Sequence, residues 1–147
     1  MKTRLLVGLG MLVLWLAAAA CIPGGAQELG GAERDAALAH AEPLVDNLLA
    51  GLNAADYAVF SRDFNAQMRE ALNESAFSTT RTTVVGKIGR YVSRTVSRVE
   101  KQGDFVVVIY RAVFEQEDGV TVRVVFEASG ERRIAGLWFD SPRLRQK

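Results

Sequence analysis

The sequence predicts an α+β domain, with N-terminal helices packed on a four-stranded antiparallel meander. From Glu33 to about Gly86 the apolar residues recur at steps of three and four, which is the period of an α-helix. After Gly86 they alternate, in four segments rich in Val, Ile, Phe and Tyr, which is the period of a strand. Helices followed by strands are typical of α+β domains, in which the helices cover one face of the sheet.

Composition excludes several classes of function. The 147 residues are enough for about one domain, and 18 Lys and Arg against 17 Asp and Glu leave the chain almost neutral. A nucleic-acid-binding protein would need a basic surface to replace phosphate counterions. One Cys and one His exclude a disulfide framework within one chain and a multi-His or Cys-based metal site. Neither a metal nor a cofactor is predicted.

The N-terminus has the pattern of a secretory signal peptide. Lys2 and Arg4 precede an apolar run over residues 5–20 that ends in alanines, as a basic region and an apolar region do in such peptides. The run is shorter than the roughly 20 residues that a permanent membrane-spanning helix needs. An uncleaved N-terminal anchor helix is the alternative.

Cys21 follows three alanines at the end of this run and is the only Cys in the chain. Small residues directly before a Cys resemble the bacterial lipobox, which implies a diacylglycerol on the Cys21 sulfur and an acylated N-terminus. The resemblance predicts a lipoprotein on the extracytoplasmic side of the cell envelope. The alternative is cleavage after Gly24-Gly25-Ala26, which would release a secreted or periplasmic protein beginning at Gln27.

The rest of the chain divides into three parts. Residues 21–32 are predicted to be the lipidated Cys and a flexible linker, because 22–32 holds four Gly and one Pro without an apolar period. The folded domain is predicted at 33–141. Residues 142–147 form a basic C-terminal tail, expected to be solvated.

Three helices are expected before the sheet. The first contains Pro43, which either kinks the helix or begins its second half at a first-turn position. Asn53 is expected to cap a second helix, with Asp56 close to its N-terminal dipole. Ser75 is expected to cap a further one.

Four strands are predicted, at residues 90–100, 104–115, 119–128 and 132–140. The turn residues between them are Gln102-Gly103-Asp104, Asp118-Gly119 and Ser129-Gly130. Such short turns join antiparallel neighbours and therefore predict a meander. The strand at 104–115 is apolar on both faces, so it is either central and covered twice or part of a contact between subunits.

Several short motifs resemble the domain-of-unknown-function family 3887 of the nuclear-transport-factor-two-like superfamily. They are Asp56-Tyr57, the segment from Phe64 to Met68 with Leu72, and the last strand from Ile134 to Phe139. The resemblance covers roughly residues 40–140. It implies a cystatin-like or nuclear-transport-factor-two-like cone, in which helices pack into a curved sheet, often with an apolar pocket at the open end. It brings no established catalytic residues.

Five residues are candidates for ligand binding in such a cone. Tyr91, Tyr110 and Trp138 would wall the mouth, Arg111 would fix an anionic group, and Tyr57 is a further aromatic candidate. For Trp138 the alternative is core packing. For the tyrosines the alternative is an ordinary position at the edge of the core.

An isomerase or dehydratase would instead need an acid or base in the cone. Asp56 and Asp63 are the carboxylate candidates, beside a Tyr, and both are expected to serve as helix-start or cap residues. His40 is expected to face solvent, since no second His or Cys shares a metal with it.

These patterns predict a lipid-anchored cell-envelope domain that binds a small ligand or a protein partner without catalysis. One alternative is an accessory or dimerising subunit that uses an exposed sheet face. The other is the small isomerase- or dehydratase-like enzyme.

Overall fold

The computed structural model describes residues 25–147. The elements are, in chain order, β1 (Gln27–Glu28), α1 (Gly31–Ala54), α2 (Tyr57–Phe60), α3 (Ala66–Ala71), α4 (Glu74–Ile88), β2 (Tyr91–Gln102), β3 (Phe105–Phe114), β4 (Glu117–Glu127), β5 (Ile134–Asp140) and α5 (Pro142–Arg145). The α+β class is confirmed. The predicted signal peptide and Cys21 lie outside the described residues, and no described helix has the length and apolarity to cross a membrane.

The sheet is antiparallel throughout, with strand order β1-β2-β3-β4-β5. The meander of β2 to β5 is confirmed, but the predicted number of four strands is wrong, because β1 adds a fifth. Gln27 and Glu28 pair with Lys101 and Glu100. Two residues are too few to reveal a period of two. The predicted linker therefore ends before Gln27, and α1 already begins at Gly31.

One of the predicted turns lies elsewhere. Phe114 pairs with Glu117, so β3 and β4 are joined by Glu115 and Gln116 rather than by Asp118-Gly119. Gly119 lies inside β4 with a φ of 72°, a value that glycine adopts without steric cost. The register of β3 against β4 shifts close by, between Ala112 and Phe114.

The first helix is one continuous element. Pro43 lies inside α1 without ending it, and the helix stops where Ala55 adopts a left-handed φ of 57°. The sequence predicts that Asn53 caps α2, but the N-cap of α2 is Asp56. The Asn53 side chain instead clamps the backbone of Tyr91, since Nδ2 donates to the carbonyl oxygen and Oδ1 accepts from the N–H, both at 2.9 Å.

The remaining helices begin at side-chain caps. Asp56, Asn65 and Asn73 cap α2, α3 and α4, each accepting the N–H three residues further on at 3.1, 2.8 and 3.1 Å. The role of Asp56 at a helix start is confirmed. The caps expected at Asp63 and Ser75 are wrong, because an Asn occupies the Ncap of each of these helices.

The helices pack on one face of the open sheet, here called the inner face. Phe60 of α2 stacks on Phe64 and on Phe77 of α4, with ring centroids 5.2 and 4.5 Å apart. β3 is the central strand of the five, and its inner-face residues Val108, Tyr110 and Ala112 belong to the core. The cone implied by the family resemblance stays a prediction.

The C-terminal segment is folded back on the domain rather than fully solvated. Ser141 caps α5 and donates to Glu117 at 2.6 Å, and Arg145 pairs with Asp140 at 2.6 Å. Glu117 is the first residue of β4. The basic tail therefore lies at the opposite end of the sheet from the β2–β3 turn.

Candidate functional site

A charged cluster lies between α1 and the inner face of the sheet, around Arg94 of β2. The Arg94 guanidinium pairs with Glu42 at 2.6 Å and with Asp46 at 2.8 Å. It donates to the Tyr91 hydroxyl at 3.1 Å and lies 5.2 Å from the centroid of the Tyr110 ring. Two of the predicted ligand-binding tyrosines are therefore brought together. Their common partner is a cation that the sequence analysis did not single out.

The Arg94 side chain is only 8% exposed, so its charge depends on these partners. Burial alone lowers the pKa of the guanidinium, but hydrogen bonds with Asp46 and Tyr91 and the charge of Glu42 outweigh burial and raise it. One buried donor, Nε, has no hydrogen-bond partner among the described residues. An unpartnered buried N–H costs about 1–3 kcal/mol.

Tyr110 closes the inner face beneath this cluster. Its side chain is completely buried, and its hydroxyl donates to Glu42 at 2.8 Å. Burial, followed by the charge of Glu42 and the hydrogen bond to it, raises the pKa of Tyr110. The phenol therefore stays neutral and serves as a hydrogen-bond donor. A fully buried ring does not provide an open wall for a ligand.

The other three predicted ligand-binding residues lie elsewhere. Tyr57 packs against Phe77, with centroids 5.7 Å apart. Arg111 and Trp138 belong to the outer face of the sheet, opposite to Tyr110, because Arg111 pairs with Thr121 and Trp138 with Arg123. The five candidates therefore do not line one common pocket.

The outer face is largely covered by its own side chains. Glu100 binds Arg98 at 2.8 Å and Gln102 at 2.8 Å, and Arg123 reaches Gln102 at 3.3 Å. The Arg123 guanidinium also lies 5.1 Å from the centroid of the Trp138 ring. Beneath this polar layer the outward side chain of Val107 is only 1% exposed.

The main open depression, here called the α3 groove, lies where β2 turns into β3 and β4 connects to β5. Its volume is about 1090 Å³. α3 and the residues before it form one wall, and the two strand connections form the other. The principal lining residues are Phe64, Asn65, Arg69, Glu70, Asp104, Phe105, Glu127, Ser129, Glu131 and Arg133.

Long-range hydrogen bonds hold the two walls together. The Asn65 backbone N–H donates to the Ile134 carbonyl oxygen, and the Ile134 N–H donates to the Asp63 carbonyl oxygen, both at 2.9 Å. The Asn65 side chain also donates to Glu127 at 3.0 Å. The groove is therefore fixed by tertiary contacts rather than by a loop alone.

The groove offers groups of both charges and one aromatic ring. Arg69 uses Nη2 for the carbonyl oxygens of Arg62 and Phe64, at 3.4 Å each, which leaves its other donors available. Glu70 and Asp104 add exposed carboxylates. Phe105 is 42% exposed. Such a surface can bind a ligand that is polar, of mixed charge and partly apolar.

The carboxylates and the His considered for catalysis have structural partners. Asp56 accepts the Val59 N–H at 3.1 Å, and Asp63 accepts from Asn47 at 2.9 Å. His40 is half-buried rather than fully solvent-facing, and its Nε2 lies 2.9 Å from the Arg132 carbonyl oxygen. Among the described residues no group of three His, Cys, Asp or Glu side chains could hold a metal ion.

The family model described as "Protein of unknown function (DUF3887)" matches residues 45–137. This range runs from the middle of α1 into β5 and covers more than half of the chain. The chain belongs to the DUF3887 family. No curated protein and no solved structure matches it.

The match includes β2, β3, β4, the first part of β5 and every residue that lines the α3 groove. Glu42 of the Arg94 cluster lies outside the matched range, and Asp46, Tyr91, Arg94 and Tyr110 lie inside it. The family description states no function.

Proposed function

We propose that this DUF3887 domain is a non-catalytic binding module, held on the extracytoplasmic side of a membrane by a lipid on Cys21. It binds a small ligand or a protein partner in the α3 groove. The anchor is supported by the sequence alone, through the basic residues, the apolar run and the position of the sole Cys.

The observation that carries the binding function is the α3 groove itself. On the inner face, by contrast, the space between helices and sheet is filled by rings such as Phe60 and Tyr110 and by the Arg94 cluster. A partly apolar concave surface with a few convergent polar groups is the usual form of a ligand site.

Binding has more support than catalysis. Neither carboxylate considered for catalysis lines the α3 groove, because Asp56 caps α2 and Asp63 accepts a hydrogen bond from Asn47 at 2.9 Å. The carboxylates that do line it, such as Glu70 and Asp104, are exposed, whereas a catalytic acid or base is tuned by burial and by neighbouring groups. The family resemblance supplies no catalytic residue to set against this.

Intact mass of the membrane fraction from an expressing bacterium tests the anchor. The wild-type protein is expected to carry three acyl chains, and Cys21→Ser is expected to lose them together with membrane attachment. A soluble species that begins at Gln27 in both samples would contradict the anchor.

Site-specific photo-cross-linking in the same cells tests the groove. A photoreactive amino acid at Ala66 or Ser129 in the groove is expected to give one shared adduct. The same group at Val92, exposed at the far end of β2, serves as the control and is expected to give none. Equal adducts at all three positions, or adducts that persist when Phe105→Ala is added, would contradict binding in the groove.

A dimerising or accessory subunit is the second candidate, because Phe105 and Trp138 both project from the outer face of the sheet. Sedimentation equilibrium of the wild type and of Trp138→Asp tests it, with Val92→Asp as the control. A dimer that only Trp138→Asp dissociates would support this candidate. A wild-type monomer at high concentration would contradict self-association.

A further inference from the structure

The pairing of β1 fixes where the N-terminal segment enters the domain. Gln27 lies opposite Lys101, and Glu28 lies opposite Glu100. Because the two strands are antiparallel, the N-terminal end of β1 points toward the end of β2, where Gly103 and Asp104 make the turn into β3. Gln27 therefore lies beside the β2–β3 turn.

The same turn forms part of the α3 groove. Asp104 and Phe105 line it from the β2–β3 connection, and Ser129 and Arg133 line it from the β4–β5 connection. The groove and the start of β1 therefore share one end of the sheet, while α5 and the basic tail lie at the other end. β3 has ten residues, so the two ends are separated by about 33 Å.

The distance from Cys21 to the groove end is short. Six Cα steps join Cys21 to Gln27, and each spans at most about 3.3–3.6 Å. A lipid on Cys21 would therefore keep the β2–β3 turn within about 20 Å of the membrane. The opposite end of the sheet has no such constraint.

The charges of the groove select among membrane headgroups. Four carboxylates, those of Glu70, Asp104, Glu127 and Glu131, stand against the guanidinium groups of Arg69 and Arg133. An anionic headgroup would meet more repulsion than attraction. A zwitterionic headgroup matches both signs, because a guanidinium binds phosphate and a carboxylate accepts hydrogen bonds from a primary ammonium.

We propose that the α3 groove faces the membrane and binds the phosphoethanolamine headgroup of a phospholipid. The phosphate lies against Arg69, the ammonium lies between Glu70 and Asp104, and the apolar ring of Phe105 lies at the boundary between the headgroups and the acyl chains. This inference deepens the proposed function, since its orientation rests on the lipid at Cys21. The headgroup site itself does not depend on acylation.

An NMR titration of the full mature protein with glycerophosphoethanolamine and with glycerophosphocholine tests the site, because each carries the phosphodiester of a lipid headgroup and no net charge. Glycerophosphocholine has the same charges, but its quaternary ammonium donates no hydrogen bond. Glycerophosphoethanolamine is expected to shift the amide signals of the groove and to bind about tenfold more tightly, the value of one charge-assisted hydrogen bond. Asp104→Asn is expected to remove this preference. Asp118→Asn serves as the control, because Asp118 is an exposed carboxylate at the far end of the sheet, and it is expected to keep the preference. Equal binding of the two headgroups, or shifts outside the groove only, would overturn the proposal.

Fluorescence quenching by brominated phospholipids tests the orientation. After removal of residues 1–20 the native protein keeps one Trp, Trp138. The variant Phe105→Trp with Trp138→Phe moves this probe to the groove. In phosphatidylethanolamine-containing vesicles we expect stronger quenching at position 105 than at 138, and the reverse order would overturn the orientation.

Intact mass of the same samples separates the two proposals. If the protein is acylated but binds both headgroups equally, the anchor is supported and the headgroup site is overturned. If the protein carries no acyl chains but still prefers the ethanolamine headgroup, the site is supported, and the anchor is overturned together with the orientation that depends on it.

Discussion

Arg94→Met removes the guanidinium that connects α1 to β2 while keeping most of the apolar stem. Removing one partner of a fully buried ion pair costs about 3–5 kcal/mol. Arg94 is nearly buried, but the carboxylates of Glu42 and Asp46 are 38% and 67% exposed. Water can therefore solvate them once the cation is gone, and the cost is smaller than for a buried pair.

Each interaction of Arg94 contributes differently to the expected loss. The Glu42 pair, partly buried and at 2.6 Å, contributes about 1.5–2 kcal/mol. The more exposed Asp46 pair contributes up to about 1 kcal/mol, the hydrogen bond to the Tyr91 hydroxyl about 0.5–1.5 kcal/mol, and the contact with the Tyr110 ring about 0.5–1 kcal/mol. Against these, the substitution removes the unpartnered Nε donor, which relieves about 1–3 kcal/mol. We expect a net loss of roughly 1–2 kcal/mol in the free energy of unfolding.

Urea unfolding of wild type, Arg94→Met and Asp46→Asn measures this loss. The midpoint of Arg94→Met is expected to fall with an unchanged m-value, and Asp46→Asn is expected to cost less than about 1 kcal/mol. A loss above about 4 kcal/mol would mean that the carboxylates are not rehydrated, and the reasoning from exposure would be refuted. A gain in stability would show instead that the unpartnered donor outweighs both ion pairs.

Three further outcomes are expected. Gly51→Ala would place a Cβ 2.6 Å from the Cα of Phe60, so the unfolding free energy should fall by about 2 kcal/mol despite the better helix propensity of Ala; an unchanged urea midpoint would contradict the close approach. The pKa of Tyr110 is raised in the folded state, so the stabilisation that the neutral phenol provides is complete below the ordinary pKa of 10.0 and is lost as pH rises through the folded value. A Tyr110→Phe variant should therefore lose less unfolding free energy than the wild type when the pH is raised above 10.0. The same dependence of unfolding free energy on pH in both proteins would refute this. Gly136→Ala would place a Cβ 2.6 Å from the Trp138 ring, so the indole must move and its fluorescence spectrum should change. An unchanged spectrum would contradict the close approach of the indole to Gly136.

The periodicity of the sequence was sufficient to predict the meander but not its first strand. β2 to β5 contain seven to twelve residues each, enough to show an alternation. β1 has two residues and is a strand only because the end of β2 offers it hydrogen-bond partners. Its formation is therefore a tertiary effect that no local pattern can reveal.

The Arg94 cluster left a weak signal that sequence reasoning missed. Glu42 and Asp46 are four residues apart in α1, so they share one helix face. Arg94 and Val96 both point inward, and an inward cation needs carboxylate partners. The register of β2 then shifts between Val96 and Arg98, which breaks the simple alternation from which the faces are assigned.

The α3 groove left no such signal. Its walls come from residues 64–70, 104–105 and 127–133, which are far apart in the chain. The bonds that join them, from Asn65 to Ile134 and to Glu127, form only when the sheet is complete. Candidates chosen as aromatic residues in strands, such as Tyr110, therefore marked the core rather than the surface that is open to a ligand.

The Arg94 cluster and the α3 groove share no residue, and this separation allows stability and binding to be tested independently. The cluster joins α1 to the inner face of the sheet, whereas the groove joins α3 to the two strand connections at the end where β1 begins. Substitutions at exposed groove positions such as Asp104 should therefore change binding without changing the free energy of unfolding. Arg94→Met should do the opposite. If both kinds of substitution changed both properties, the groove would depend on the packing of α1, and its residues would have to be regarded as part of the core.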